Sequence, residues 1–280
     1  MILEGAIGDA YGAGFEFSDR SKIELKNTVC SYETHPLYRE ISGRYTDDTQ
    51  MTIALAELML SEKDWTDLNI ANSFIELFKV DSRRGYAKRF YSFLSEIETG
   101  EEFLRKIINK SERNGAAMRS YVIGLYNDEQ NLIEKTTLQA EVTHATSNAV
   151  NSALAIALSS HFFFYNKGRK EELITYLNDI LGTSWKGNWK GEVGVSGVET
   201  VEAVLSIVTS KHSMRERLKS SVDFGGDVDT VASLVLSLSS MDKSVKNDLP
   251  VFLIDDLENN LFGKDYLIDL DRRLINKFNN

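Results

Sequence analysis

Apolar residues recur at helical spacing through most of the chain. In residues 49–60 they fall at Met51, Ala54, Leu55, Leu58 and Met59, which predicts a helix with one buried face. Shorter versions of the pattern occupy 72–78, 91–97 and 102–108, and longer ones 171–181, 198–209 and 230–238. Residues 147–164 are apolar nearly all round, which predicts a central helix with no face left for water. Residues 116–125 are rich in small side chains and predict a tightly packed helical segment that holds Arg119 about one turn from its start. Alternation of period two, the mark of a half-buried strand, is scarce. There is no internal repeat or linker, and glycines at 12–14, 182–197 and 225–226 read as turns. The pattern predicts a single all-α domain over residues 1–280.

Composition agrees. Of 280 residues, 42% are hydrophobic, enough for an extensive core, and the only prolines are Pro36 and Pro250, a scarcity that suits long helices. The net charge of −10 lacks the basic footprint of a general nucleic-acid binder. One cysteine, Cys30, excludes an internal disulfide and fits a reducing compartment. The first residues show no basic start followed by an apolar run, so no signal peptide is expected. The most apolar stretch, 153–165, contains Ser159, Ser160 and His161 and is too short to span a bilayer. The expectation is a soluble, cytoplasmic, monomeric or weakly self-associating protein without a membrane partner.

Chemistry concentrates in two acidic clusters, Thr46-Asp47-Asp48-Thr49 and Gly225-Gly226-Asp227-Val228-Asp229-Thr230. Each stands at the predicted start of a helix. Alone, each could be a cap, since an acid there meets the helix dipole to the extent of about 0.3–1 kcal/mol. A cap needs one acceptor, however, and each cluster supplies at least three oxygen-bearing side chains. Two glycines before Asp227 also let the backbone turn sharply toward a ligand. Jointly the clusters favour a hard divalent cation, which needs such an oxygen-rich set. The segment 186–197, with four glycines, is either a loop bordering a site or a mobile surface connection.

Four motifs occur in order: Gly8-Asp9-Ala10-Tyr11-Gly12-Ala13-Gly14-Phe15-Glu16; Tyr45-Thr46-Asp47-Asp48-Thr49-Gln50-Met51; Asn114-Gly115-Ala116-Ala117-Met118-Arg119 with Thr143-His144 beyond it; and Gly225 to Thr230. In this set the chain resembles the ADP-ribosylglycohydrolases, over residues 1 to about 240. The resemblance implies an all-α fold with a binuclear magnesium (or manganese) cleft. It implies Thr46, Asp47 and Asp48 as metal ligands from one side and Asp227, Asp229 and Thr230 from the other, with Asp229 bridging. It further implies Glu16, Asp81 or Asp48 as the catalytic carboxylate, and Asp9 as a structural support of the site. Arg113, Asn114, Gly115 and His144 would contact substrate. His35, His161 and His212 show no ligand spacing and receive no role. This chain departs from the family's pattern at Arg113, where many members have glycine, at Val228 in place of threonine, and after Thr230, where glycines are lacking.

The function implied is a metal-dependent hydrolase that releases ADP-ribose from an ADP-ribosylated protein, arginine first among acceptors, or from an ADP-ribose conjugate. The departures leave two alternatives: an ADP-ribose-binding module without turnover, and a metal-dependent phosphohydrolase on a related nucleotide.

Overall fold

The computed structural model describes residues 1–279, which contain helices and no extended strand. In chain order these are α1 (Ile2–Ala13), α2 (Arg20–Lys26), α3 (Asp47–Leu60), α4 (Asp67–Val80), α5 (Lys88–Glu96), α6 (Gly100–Lys106), α7 (Glu129–Glu141), α8 (Ser147–Phe164), α9 (Leu173–Leu181), α10 (Gly197–Val208), α11 (Met214–Asp223), α12 (Val228–Met241), α13 (Phe252–Asp255) and α14 (Lys264–Phe278). The all-α expectation holds, and α8 has the bounds its all-round apolar pattern predicts.

The centre of the molecule is the α1–α12 pair. Almost every residue of both helices is buried. They approach so closely that a Cβ on Gly8 would overlap the Ala232 carbonyl, and one on Gly12 would overlap Asp229 Cα. The glycines lacking after Thr230 have their counterpart on the other side of the seam, in Gly8 and Gly12 of α1. The glycine-rich start of the chain is a helix interior whose glycines admit a neighbouring backbone, so Gly12 is not in a turn. Around this pair, α3, α8, α10, α11 and α14 pack to form one large hydrophobic core. Asp271 of α14 accepts the Ile2 and Leu3 N–H groups at 2.8 and 3.1 Å, anchoring the first turn of α1.

Residues 116–125 do not form an α-helix. Two short 3-10 turns, Asn114–Ala116 and Tyr121–Leu125, stand there, with Arg119 between them. The Arg119 side chain is fully buried and donates to Gln139 Oε1 (2.7 Å), Gln139 O (3.1 Å) and Thr143 Oγ1 (2.8 Å). These bonds draw the segment toward α7 and replace the intrahelical pattern its composition suggests. Arg119 therefore has no carboxylate partner among the described residues, its oxygen partners being amide, carbonyl and hydroxyl groups. The segment 170–181 is likewise divided, into a 3-10 turn at Lys170–Glu172 followed by α9.

Most helices that begin with Ser, Thr or Asp use that side chain as a cap. Thr66, Thr99, Asp128, Thr146 and Ser213 each accept an N–H from the first turn of α4, α6, α7, α8 and α11. Thr46 before α3, Asp227 before α12, Asp19 before α2 and Ser196 before α10 do not. The first two of these stand in the acidic clusters.

Candidate active site

The first cluster is freed from capping by a residue of another helix. Asp9, buried in α1, accepts from four donors at the start of α3: Thr46 N–H (2.9 Å), Thr46 Oγ1 (2.9 Å), Thr49 N–H (3.1 Å) and Thr49 Oγ1 (2.7 Å). It takes the Thr49 N–H, the first-turn donor that a Thr46 or Asp47 cap would otherwise serve. The Thr46 hydroxyl spends its hydrogen on Asp9, so its lone pairs remain for an acceptor role. Burial pushes Asp9 up to about 6, against the lowering effect of those donors.

The second cluster is aimed by its glycine turn. Gly225 and Gly226 have φ of +78° and +84°, the left-handed region that other residues seldom adopt. The turn is pinned on three sides. Val193 N–H donates to Gly225 O at 3.0 Å, Asp227 N–H to Val193 O at 2.8 Å, and Phe17 N–H to Gly226 O at 2.9 Å. The glycine-rich segment 186–197 is therefore fixed against the acidic turn and is not a free connection. It also touches the third motif, where Asn114 N–H donates to Val195 O at 3.0 Å.

The result is a convergence of acids. Glu16, Asp227 and Asp229 each place a carboxylate oxygen within 4.8 Å of the others. Asp227 is buried and accepts from Asn114 Nδ2 at 2.5 Å. Asp48 and Asp229 are buried, yet Oδ1 of each has no hydrogen-bond partner. Burial, then the neighbouring acids, hold Asp47, Asp48 and Asp229 well above the usual carboxylate range. Burial and Glu16 push Asp227 up to about 7. A buried acceptor left unpaired is costly, and several like charges crowded together more so. A hard cation removes both costs at once, and this donor set of carboxylates and hydroxyls fits magnesium or manganese.

The remaining predicted residues divide. Thr230 lies at the start of α12, its hydroxyl opposing the rise at Asp48. Asp47 is half-buried, with Oδ1 against Gly85. Asp81 is not in the cluster: its carboxylate takes the Arg83 guanidinium at 2.8 Å (Nε) and 2.7 Å (Nη2). Asn114 has its backbone N–H on Val195 and its side chain on Asp227 and Thr200. This leaves it no free N–H for a phosphate and makes it a support for Asp227. Gly115 lies under the His144 ring, 2.9 Å from Cε1 if it carried a Cβ. His144 precedes α8 by three residues and does not open it. Its Nδ1 lies 2.7 Å from Thr143 Oγ1, and burial pushes the ring down to about 3. Thr143 Oγ1 also accepts from Arg119, and with its own hydrogen turned to Nδ1 the His144 proton sits on Nε2. Arg113 is exposed, with no ion pair among the described residues, and its charge lowers both Asp227 and His144.

One residue was given no role by its spacing and has one in space. His35 Nε2 lies 2.7 Å from Glu16 Oε2. Nothing in the sequence links the two, since they are 19 residues apart and their segments share no periodicity.

The model of the ADP-ribosylglycohydrolase family matches residues 1–280. The chain belongs to the ADP-ribosylglycohydrolase family. An ADP-ribosylhydrolase ARH3 from Gallus gallus is 30% identical over 201 residues, covering 64% of this chain and 54% of that protein. This chain thus spans about half the length of that relative. An ADP-ribosylarginine hydrolase Tri1 from Pseudomonas putida (strain GB-1) is 22% identical over 250 residues, covering 83% and 66%. A solved structure described as an ADP-ribosylglycohydrolase-related protein complex superposes with a TM-score of 0.68 at 18% identity, covering 98% of this chain and 95% of that one, and shows the shared fold. Family members named for their activity are hydrolases of ADP-ribosyl bonds. No helix among the described residues is long and apolar enough to cross a membrane.

Proposed function

We propose that this chain is a metal-dependent hydrolase that cleaves the glycosidic bond between ADP-ribose and an arginine side chain of a modified protein. The observation that carries the reading is the pair of buried, unpartnered oxygens, Asp48 Oδ1 and Asp229 Oδ1, the second residue clustered with Glu16 and Asp227. Thr46, Asp47, Asp48, Asp227, Asp229 and Thr230 would hold two magnesium or manganese ions. Such cations supply Lewis-acid chemistry toward sugar and water oxygens.

This chain's own residues do the rest. Asp9 keeps α3 capped while its neighbours turn toward the cluster. Asn114 orients Asp227. Glu16, half-buried and adjacent to Asp227 and Asp229, would exchange a proton at the anomeric centre, with Asp48 as a second acid of the site. Asp81 already carries an ion pair and is the weaker candidate. His144 offers Nε2–H over Gly115, and Arg113 offers an unpaired guanidinium at the rim; both suit phosphate oxygens. A guanidinium leaving group is favoured by the chain's net charge of −10 and the acids at the site. The name of the Pseudomonas relative points the same way.

The test is release of ADP-ribose from arginine-modified protein with magnesium, and its loss with EDTA. Serine-linked substrate is the comparison. No release from either, with metal-dependent ADP-ribose binding retained, would make the chain a binding module. Release of phosphate would make it a phosphohydrolase.

A further inference from the structure

The half-buried Glu16 lies close to two buried aspartates, Asp227 and Asp229, each with a carboxylate oxygen within 4.8 Å of one of its own. Its side chain has three rotatable bonds and access to solvent, so its own rotamers do not fix it there. Something must hold it in.

The restraint is on the other side. His35 is almost fully buried, its side chain 1% exposed against 17% for Glu16. Its Nδ1 accepts two backbone donors, Leu37 N–H at 2.9 Å and Tyr38 N–H at 3.1 Å. An atom that accepts from two N–H groups carries no proton, so the ring proton is on Nε2. That proton is donated to Glu16 Oε2 across 2.7 Å. The ring is fixed further by contact with Tyr38, centroids 4.9 Å apart, and by the His35 N–H on Ile41 O at 2.9 Å. Glu16 is also held through its backbone, since the next residue, Phe17, donates its N–H to Gly226 beside Asp227.

We propose that His35 is a positioning residue: its loop fixes the Nε2–H tautomer, and that donor holds the flexible Glu16 side chain beside Asp227 and Asp229. The functional half of this rests on the reading of Glu16 as the reacting acid.

Two substitutions separate the two nitrogens. His35→Asn keeps an acceptor near Nδ1 for the 37 and 38 amides, as an Asx-turn does, and removes the donor to Glu16. His35→Gln extends an amide N–H to the Nε2 position. With magnesium and arginine-modified substrate, His35→Asn is expected to lose at least about tenfold in kcat with KM nearly unchanged and an unchanged melting temperature. His35→Gln is expected to restore most of kcat. The reverse order, Asn active and Gln impaired, would overturn the proposal and make His35 a loop-holding residue only. Glu16→Gln is run beside them: a loss at least as large is expected, whereas full activity would sink the role of Glu16 and not the hydrogen bond. Nitrogen NMR of the metal-free full chain reads the bond without turnover. A neutral Nε2–H signature for His35 supports the restraint, and an Nδ1–H signature overturns it.

Discussion

Asp9 and Asp229 are two buried aspartates on the facing helices α1 and α12. Asp9 has four donors from α3. Asp229 has an oxygen with none. Burial raises both, but only Asp229 is pushed further by three acids, Glu16, Asp227 and Asp48, ahead of Asp9. An acid that is fully served belongs to the fold, whereas one left unserved at the same depth is kept at a cost and points to a missing partner. The sharpest way to break this contrast is to remove each in turn. Asp9→Ala strands buried donors at the start of α3 and is expected to cost about 3–5 kcal/mol, with or without magnesium. Asp229→Asn removes a repelling charge and is expected to stabilise the metal-free protein by about 1–3 kcal/mol. It is also expected to abolish the magnesium-induced rise in melting temperature and to cut turnover by about 100-fold or more. Denaturant titrations with and without EDTA check both. Destabilisation of the metal-free protein by Asp229→Asn would end the distinction.

The same contrast has a pH dependence. Asp227 and Asp9 hold their protons when folded up to about 7 and about 6, against 3.8 for an ordinary aspartate. Their contribution to stability is therefore present below that unfolded value and lost as pH rises through about 6 and about 7. Metal-free protein should lose about 4 kcal/mol between about pH 5 and about pH 8. Magnesium should flatten the change, because it favours the charged form of its ligands. Melting curves across that range suffice, and an equal slope with and without magnesium would count against cation binding.

What could be read from the sequence follows the physics of each element. The helix α8 is apolar all round, and its pattern gives both its ends. The acidic clusters are local runs, so their chemistry shows without a fold. The helix α1 was hidden because its glycines read as turns, when their role is to admit α12. The charged helices α11 and α14 were missed because each buries only a narrow stripe. The capping ambiguity needed the structure, since the cap of α3 comes from Asp9, 37 residues away from Thr46. His35 could not be found from its own surroundings at all, because its meaning lies in one contact across a loop. The seam itself is testable. Gly8→Ala drives a methyl into the Ala232 backbone and is expected to cost about 1–3 kcal/mol in chemical denaturation, by parting the helices that carry Asp9 and Asp229. A neutral effect would mean that the seam has slack.

Asp81 supplies a third kind of acid and the smallest expected effect. Like Asp9 it is served, but by a charge: Arg83, which is itself buried, stacks on Tyr45 at 3.8 Å and bonds Glu258. Asp81 is only partly shielded, 24% exposed. Water screens such a pair, and Glu258 would keep Arg83 compensated if Asp81 were neutral. Asp81→Asn is therefore expected to cost about 1 kcal/mol or less and to leave turnover within about threefold of the parent. Glu16→Gln, measured in the same assay, should fall much further. If instead Asp81→Asn lost activity as Glu16→Gln is expected to, with its stability intact, the ion pair would have to open during the reaction. The acid at the anomeric centre would then be one that the resting structure holds on Arg83, and the distinction between served and unserved acids would mark the resting state alone.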